Sequence, residues 1–268
     1  MVTNSNNNQL IKTIDFSKYS SIKCGPIVDV VAITSKDQIP KDHKILGLAN
    51  NLLVSPNAKN LMMLSKEFSY VKIENEKLII GAATPTGKVV SFCKKNNIGG
   101  FEFLAGLPGS MGGVIKMNAG LLGYEIFDNL LTLTTQNETF FKKDITYEYR
   151  NACIKGVIFE AAFIFKDGFE QHIVDMIKNK RADQPKEPSA GSCFKNPQGD
   201  YAGRLIEAVG LKGYKKGDFC FSTQHANFLV NLGSGKFEDA LWLIEEAKKR
   251  VKKEFGIELK EEIDIIKA

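Results

Sequence analysis

Histidine, tryptophan and proline are scarce in this chain of 268 residues, which holds three His, one Trp and eight Pro. His43, His172 and His225 form neither an HxxxH nor an HExxH pattern. The five cysteines, Cys24, Cys93, Cys153, Cys193 and Cys220, are widely spaced, odd in number and without a CxxC pair. That spacing supports neither a metal site nor a disulfide framework, so no metal is expected. No stretch approaches the ~18 apolar residues of a membrane helix, and no membrane insertion is expected. The first residues, MVTNSNNNQLIK, lack the apolar core of a secretory signal, so the expected compartment is the cytoplasm. A concentrated basic stripe is also missing. There are 36 Lys+Arg against 31 Asp+Glu, a net charge of +5, which does not argue for nucleic acid. The Lys-rich stretch 248–253 reads as the exposed face near a helix C-terminus.

What is present is ordinary for a globular chain: 43% hydrophobic and 25% charged residues. The length allows one large domain or two small ones. Residues 28–33, 44–47 and 52–55 read as short strands, and 70–74 with 77–82 as a hairpin about Glu74-Asn75-Glu76. A helix is expected from near Thr84, with Pro85 in its first turn and Val89, Phe92, Cys93 and Asn96 on one face. Residues 101–124 read as a Gly-rich apolar loop region; 129–136, 138–143 and 156–166 read as antiparallel strands. Residues 181–200, with three prolines and two glycines, read as a boundary or active-site loop. A short helix is expected between Asp200 as candidate N-cap and Gly210 as its C-terminal stop, strands are expected at 219–223 and 227–232, and 237–254 carries the strongest helical periodicity. Residues 257–266 alternate as a final strand, and the Asn-rich residues 4–8 read as a loose tail. Without regular βαβ alternation the fold class is α+β.

Several segments could carry chemistry. In 104-LAGLPGSMGGVIKMNAG-120, Gly106, Gly109, Gly112 and Gly113 would let successive N–H groups approach a phosphate; a tight structural turn explains the spacing equally well. Asn50-Asn51, between two apolar strands, could offer amides to a diphosphate or form an ordinary turn. Residues 82–89 mimic half a Walker A loop, but Ala82 replaces the first Gly and Val89 sits where Ser or Thr must bind magnesium, so a P-loop is rejected. Ser192, in 189-SAGSCFKNP-197, could deliver a proton or satisfy a turn. Arg150 could fork onto a carboxylate or sit on the surface. Glu262 lies on the more polar face of the last alternating segment.

The order of these segments resembles that in the MurB family of flavoenzymes, the UDP-N-acetylenolpyruvoylglucosamine reductases, in its compact form. The resemblance runs from 19-YSSIK-23 through 45-ILGLANNLLVS-55, 101-FEFLAGLPGSMGGVIKMNAG-120, 147-YEYR-150, 188-PSAGSCFKNP-197, 201-YAGRLIEAVGLKGY-214 and 222-STQHANFLVN-231 to 255-FGIELKEEIDII-266. It implies a two-subdomain FAD-binding core plus a C-terminal α+β substrate-binding domain. The core would comprise 1–65, joined by 256–268, and 66–180; the substrate-binding domain would be 181–255. It implies a monomeric enzyme in which NADPH reduces noncovalent FAD, and UDP-N-acetylglucosamine enolpyruvate becomes UDP-N-acetylmuramate for peptidoglycan. Arg150, Ser192 and Glu262 match the family's catalytic residues. Gly47, Asn50, Asn51, Leu52, Pro108, Gly109, Ser110, Gly112 and Gly113 match its flavin-binding segments. Lys195 and Asn196, with Arg150, are candidates for substrate binding.

The sequence departs from the family in places. The first flavin loop usually reads GGGSN and here reads Gly47-Leu48-Ala49-Asn50-Asn51, where Asn can adopt the left-handed conformation and its amide can replace a hydroxyl contact. Ala152 replaces a serine. Cys193 and His225 receive no role. A flavin oxidase of the same superfamily commonly attaches its flavin through a His or Cys in the first Gly-rich region, and 100–124 contains neither. A catalytically dead nucleotide-sugar binder is disfavoured by the retained Arg150, Ser192 and Glu262.

Overall fold

Asn75 and Glu76 both take positive φ, 48° and 58°, and turn the chain between the antiparallel strands Val71–Glu74 and Lys77–Gly81. Two such residues in a two-residue loop match the right-handed twist of a hairpin. The hairpin is one side of a five-stranded antiparallel sheet in the order Thr139–Phe141, Leu130–Thr135, Ile158–Phe163, Lys77–Gly81, Val71–Glu74. The sheet was found in a computed structural model that describes residues 2–3 and 10–267; the expected tail 4–8 lies outside the described residues. These fall into two compact units. The first holds the residues before 13 together with 30–48 and 60–182, and the second holds 13–29, 49–59 and 183 onward. Both mix strands and helices without βαβ alternation, so the class is α+β.

In the first unit the sheet packs on helix α1 (Thr86–Lys95), whose Val89 and Cys93 are fully buried with Phe101 and Phe163. Those two rings meet edge-on at 5.6 Å. Burial pushes the Cys93 thiol up to about 12, with the Glu102 carboxylate adding to it. The helix begins two residues later than expected, with Pro85 as its cap, because Thr84 is committed to the preceding turn. Its N–H donates to Gly81 O and its hydroxyl to Tyr70 O. The Gly-rich region is not all loop: a 3-10 turn spans Glu102–Gly106 and helix α2 spans Met111–Lys116. Elements outside every sequence-expected one include the strand Leu10–Asp15 and two others. Leu61–Leu64 is the middle strand of a parallel trio with Ile27–Ile33 and Lys44–Leu46. Helix α3 (Gln171–Ala182) buries only Ile173, Val174 and Ile177.

The second unit is a four-stranded antiparallel sheet, in the order Ser189–Ser192, Phe228–Asn231, Phe219–Phe221, Lys215–Lys216. Strand alternation sends Phe219, Phe221 and Leu229 into the main core and Cys220, Phe228 and Val230 into a separate cluster. The main core is shared by helix α4 (Ala202–Ala208) and helix α5 (Phe237–Phe255), whose Ala240, Leu243, Ile244, Ala247 and Val251 are all fully buried. Gly256, at φ 69°, closes α5 with its N–H on Lys252 O. The same core takes Ile22, Cys24 and Leu53 from the beginning of the chain. Buried Asn231 ties that early segment down by donating to Ile22 O and Lys23 O, at 3.1 and 3.0 Å. The final strand is shorter than its alternation suggests. Only Asp264–Ile266 forms a strand, parallel to Leu52–Val54, while Glu261 makes an isolated bridge to Phe194.

Candidate active site

Ser192 ends its strand opposite Phe228, just after Gly191 at φ 80°. The ladder is irregular at that left-handed residue, between the Ser189–Val230 and Ser192–Phe228 pairs, and the residues after Ser192 are held by Asn227, next to Phe228. Cys193 N–H donates to Asn227 O at 2.7 Å, and Phe194 N–H to Asn227 Oδ1 at 2.9 Å. Asn227 Nδ2 returns a bond to Phe194 O at 2.8 Å. On the opposite flank Cys193 O accepts Glu262 N–H at 2.9 Å, and Lys195 N–H donates to Lys260 O at 2.9 Å. Asn51 Nδ2 donates to Glu262 O at 2.8 Å, and Asn51 O accepts Asp264 N–H. Three candidates distant in sequence, Asn51, Ser192 and Glu262, are therefore carried by one hydrogen-bonded framework. Leu52, next to Asn51, opens the strand that pairs with Asp264–Ile266.

The loop before Asn51 is held by Ser21, whose N–H donates to Ala49 O and whose hydroxyl donates to Asn50 O. Its left-handed residue is Ala49, at φ 53°; neither Asn50 nor Asn51 has positive φ. Asn196 spends its Oδ1 on Ala202 N–H, at the entry to α4. The Cys193 thiol is fully buried and burial pushes its pKa well up, so it stays protonated and unreactive. His225 accepts Asn227 N–H on Nδ1 at 3.2 Å, and burial pulls its pKa down, which favours the neutral ring that can accept.

In the first unit, Gly47 and Ser110 come together from the two Gly-rich segments: a Cβ at position 47 would lie 2.7 Å from Ser110 Oγ. Ser110 is 5% exposed and stands at the N-cap of α2, yet its hydroxyl caps nothing in the helix. The four glycines of the motif divide by role. Gly106 is required by packing, because a Cβ would meet Leu121 and Ile177 at 2.5 and 2.6 Å. Gly112 packs on Ala82, and its N–H is spent on Ala82 O, as that of Met111 is on Thr84 O. Gly109, after Pro108, has φ 155° and open space where a Cβ would point, and a Cβ at Gly113 would touch only Ser110 Oγ. The ligand-facing freedom expected of four glycines thus concentrates at Gly109 and Gly113.

Arg150 occupies a two-residue turn between the strands Tyr147–Glu148 and Asn151–Ala152, at φ 58°. Its guanidinium donates to Gly120 O at 2.9 Å and lies 4.9 Å from the centre of the Tyr149 ring. Two other residues of the Gly-rich motif, unassigned from sequence alone, hold this hairpin. Lys116 donates to Ala152 O and Ile154 O, and the fully buried Asn118 donates to Glu148 O and Glu125 Oε2. The end of the glycine motif therefore fixes the arginine turn.

Comparison with known proteins gives one consistent answer. A family model for the C-terminal domain of UDP-N-acetylenolpyruvoylglucosamine reductase matches residues 183–266. The UDP-N-acetylenolpyruvoylglucosamine reductase of Helicobacter hepaticus is 48% identical over 257 residues, covering 94% of this chain and 98% of that one. Its counterpart in Helicobacter pylori strain J99 is 44% identical over 255 residues, covering 95% and 98%. The crystal structure of UDP-N-acetylenolpyruvylglucosamine reductase from Thermus caldophilus matches with a TM-score of 0.84 and 27% identity, over 97% of this chain and all of that chain. Among the described residues no helix is long and apolar enough to cross a membrane, and no three His, Cys, Asp or Glu cluster to hold a metal ion.

Proposed function

The chain belongs to the UDP-N-acetylenolpyruvoylglucosamine reductase family, and from that membership we propose that it reduces UDP-N-acetylglucosamine enolpyruvate to UDP-N-acetylmuramate as a monomeric cytoplasmic enzyme using FAD and NADPH. It is an oxidoreductase of peptidoglycan precursor synthesis. The FAD-binding part would comprise 1–65 with 256–268 and 66–180, and the substrate-binding part 181–255. Gly47, Asn50, Asn51, Leu52, Pro108, Gly109, Ser110, Gly112 and Gly113 would hold FAD noncovalently. The close approach of Ser110 Oγ to the Cβ-free Gly47, where the two Gly-rich segments meet, supports that fit. Bound FAD would supply the hydride chemistry, accepting from NADPH and delivering to the terminal carbon of the enolpyruvyl group.

The protein's own residues then govern charge and proton. Hydride addition leaves negative charge on the carbon beside the substrate carboxylate. Arg150 neutralises that carboxylate, and its tie to Gly120 O fixes the direction of the fork. Ser192 passes its hydroxyl proton to the carbon that carries the charge. Glu262, in its protonated form, donates a hydrogen bond to the same developing charge. Lys195 and the remaining amide of Asn196 serve the UDP-sugar.

The observation that carries this reading is the framework joining Asn51, Ser192 and Glu262 through Cys193 O and Glu262 O. The test is spectroscopic. The purified protein should release FAD on denaturation, NADPH should bleach it anaerobically, and the enolpyruvyl UDP-sugar should restore the colour. A flavin-free protein, or a reduced flavin indifferent to that substrate, overturns the proposal.

A further inference from the structure

We propose that Asn227 is a positioning residue that sets the Ser192 hydroxyl relative to Glu262 and so governs proton delivery; the inference rests on the reading of Ser192 as the proton donor. Ser192 pairs with Phe228 at the end of its strand, and Asn227, the residue next to Phe228, holds the chain beyond it. Its carbonyl accepts Cys193 N–H, its Oδ1 accepts Phe194 N–H and its Nδ2 donates to Phe194 O. Three bonds from one residue thus fix the three successive peptide units that follow the serine. The other face of the same segment is bonded to residues 260–263, including Glu262 N–H on Cys193 O. Asn227 therefore stands at one end of a short rigid path, from Asn227 to Cys193 to Glu262, and Ser192 is attached directly to its middle.

Water cannot replace these bonds in place. Asn227 is 3% exposed and Phe194 is fully buried. Truncating the amide would strand a buried N–H and a buried C=O, and the segment would have to shift to satisfy them. Shifts of about 1 Å at a reacting group cost on the order of a hundredfold in rate. Asn227 is itself held from behind, since its own N–H donates to His225 Nδ1, whose ring packs edge-on against Phe228 at 5.0 Å between centroids. That assigns His225 a supporting place in the same path.

The test separates the two half-reactions by anaerobic stopped flow in wild type, Asn227→Ala, Asn227→Asp, Ser192→Ala and the Ser192→Ala/Asn227→Ala double variant. Asn227→Ala should slow reoxidation by saturating enolpyruvyl UDP-sugar by about 30-fold or more and leave reduction by NADPH within about twofold. Its solvent deuterium isotope effect on reoxidation should exceed that of wild type, because proton delivery becomes more limiting. The double variant should be no slower than Ser192→Ala alone, since Asn227 acts through the serine. Asn227→Asp keeps Oδ1 and the shape of the side chain and should fall between wild type and Asn227→Ala; it carries the test if Asn227→Ala does not fold. Equal loss in both half-reactions, multiplicative loss in the double variant, or reoxidation unchanged in Asn227→Ala and Asn227→Asp overturns the inference while wild-type turnover stands. A wild-type reduced flavin that ignores the enolpyruvyl sugar overturns the proposed function, and this inference with it.

Discussion

A serine hydroxyl is a weak acid, so Ser192 can give up its proton only to an atom as basic as a carbon carrying developing carbanion charge. Ser192→Ala should therefore keep flavin reduction by NADPH and slow reoxidation by substrate by orders of magnitude, as read by flavin absorbance in each half-reaction. Equal loss in both would assign the serine a structural role. Gly47 presents the opposite case, a residue defined by what it lacks. Gly47→Ala would bring a Cβ to 2.7 Å from Ser110 Oγ, an overpacking cost of about 1–3 kcal/mol. The expected result is FAD binding weakened at least about tenfold, measured as the flavin-to-protein ratio after dilution and filtration. At this scale the sequence shows which residue types are available, and Arg150, Ser192 and Glu262 stand out by type and order. It does not show backbone conformation. Ala49 and Arg150 both take positive φ, against local preference, because neighbouring strands and the Ser21 contacts impose it. Asn227 has no periodic signature in the sequence, and the Phe194 peptide groups it holds lie 33 residues away.

Elements respond to their caps and charges. Gly256→Ala should lower stability by about 1 kcal/mol, because a Cβ at φ 69° is strained, with no change in flavin content; urea unfolding checks the first and absorbance the second. At the entry to α4, Asp200 accepts from Arg204 and from Tyr201 N–H, and these bonds depress its pKa from 3.8 to about 2. A depressed carboxylate pKa contributes stability that is present above about pH 4 and is lost as the pH falls toward 2. Asp200→Asn should therefore flatten the stability profile between pH 4 and 2, measured by denaturant unfolding across that range. Helix α5 is plain in the sequence because its five fully buried positions recur mostly at three- and four-residue spacing. Helix α3 was not, since three buried residues in twelve make too narrow a stripe. Leu61–Leu64 escaped for the reverse reason: a continuous apolar run carries no period. The last strand was overextended because residues 257–263 alternate while bonding singly to the 193–195 segment rather than as a ladder.

For the whole molecule, the sequence disclosed the α+β class and the ordered motifs, while the partition of the core emerged only in three dimensions. The second unit's core draws Ile22, Cys24 and Leu53 from early in the chain, and its last strand pairs with Leu52–Val54. A fragment comprising 183–268 should therefore lack a cooperative thermal transition by circular dichroism, although a family model recognises residues 183–266 as a domain. A sharp transition in the isolated fragment would show that the early segments are dispensable.

The same partition has a consequence for synthesis on the ribosome. Residues 13–29 and 49–59 emerge early, but their partners in 183–268 follow more than a hundred residues later. At about 5–20 residues per second, that delay spans from several seconds to tens of seconds. Throughout it, the nascent chain carries an apolar set, Ile22, Cys24 and Leu53, most of whose core has not yet been translated. The order in which the chain is made thus obliges this enzyme to shelter its first segments until its last one arrives.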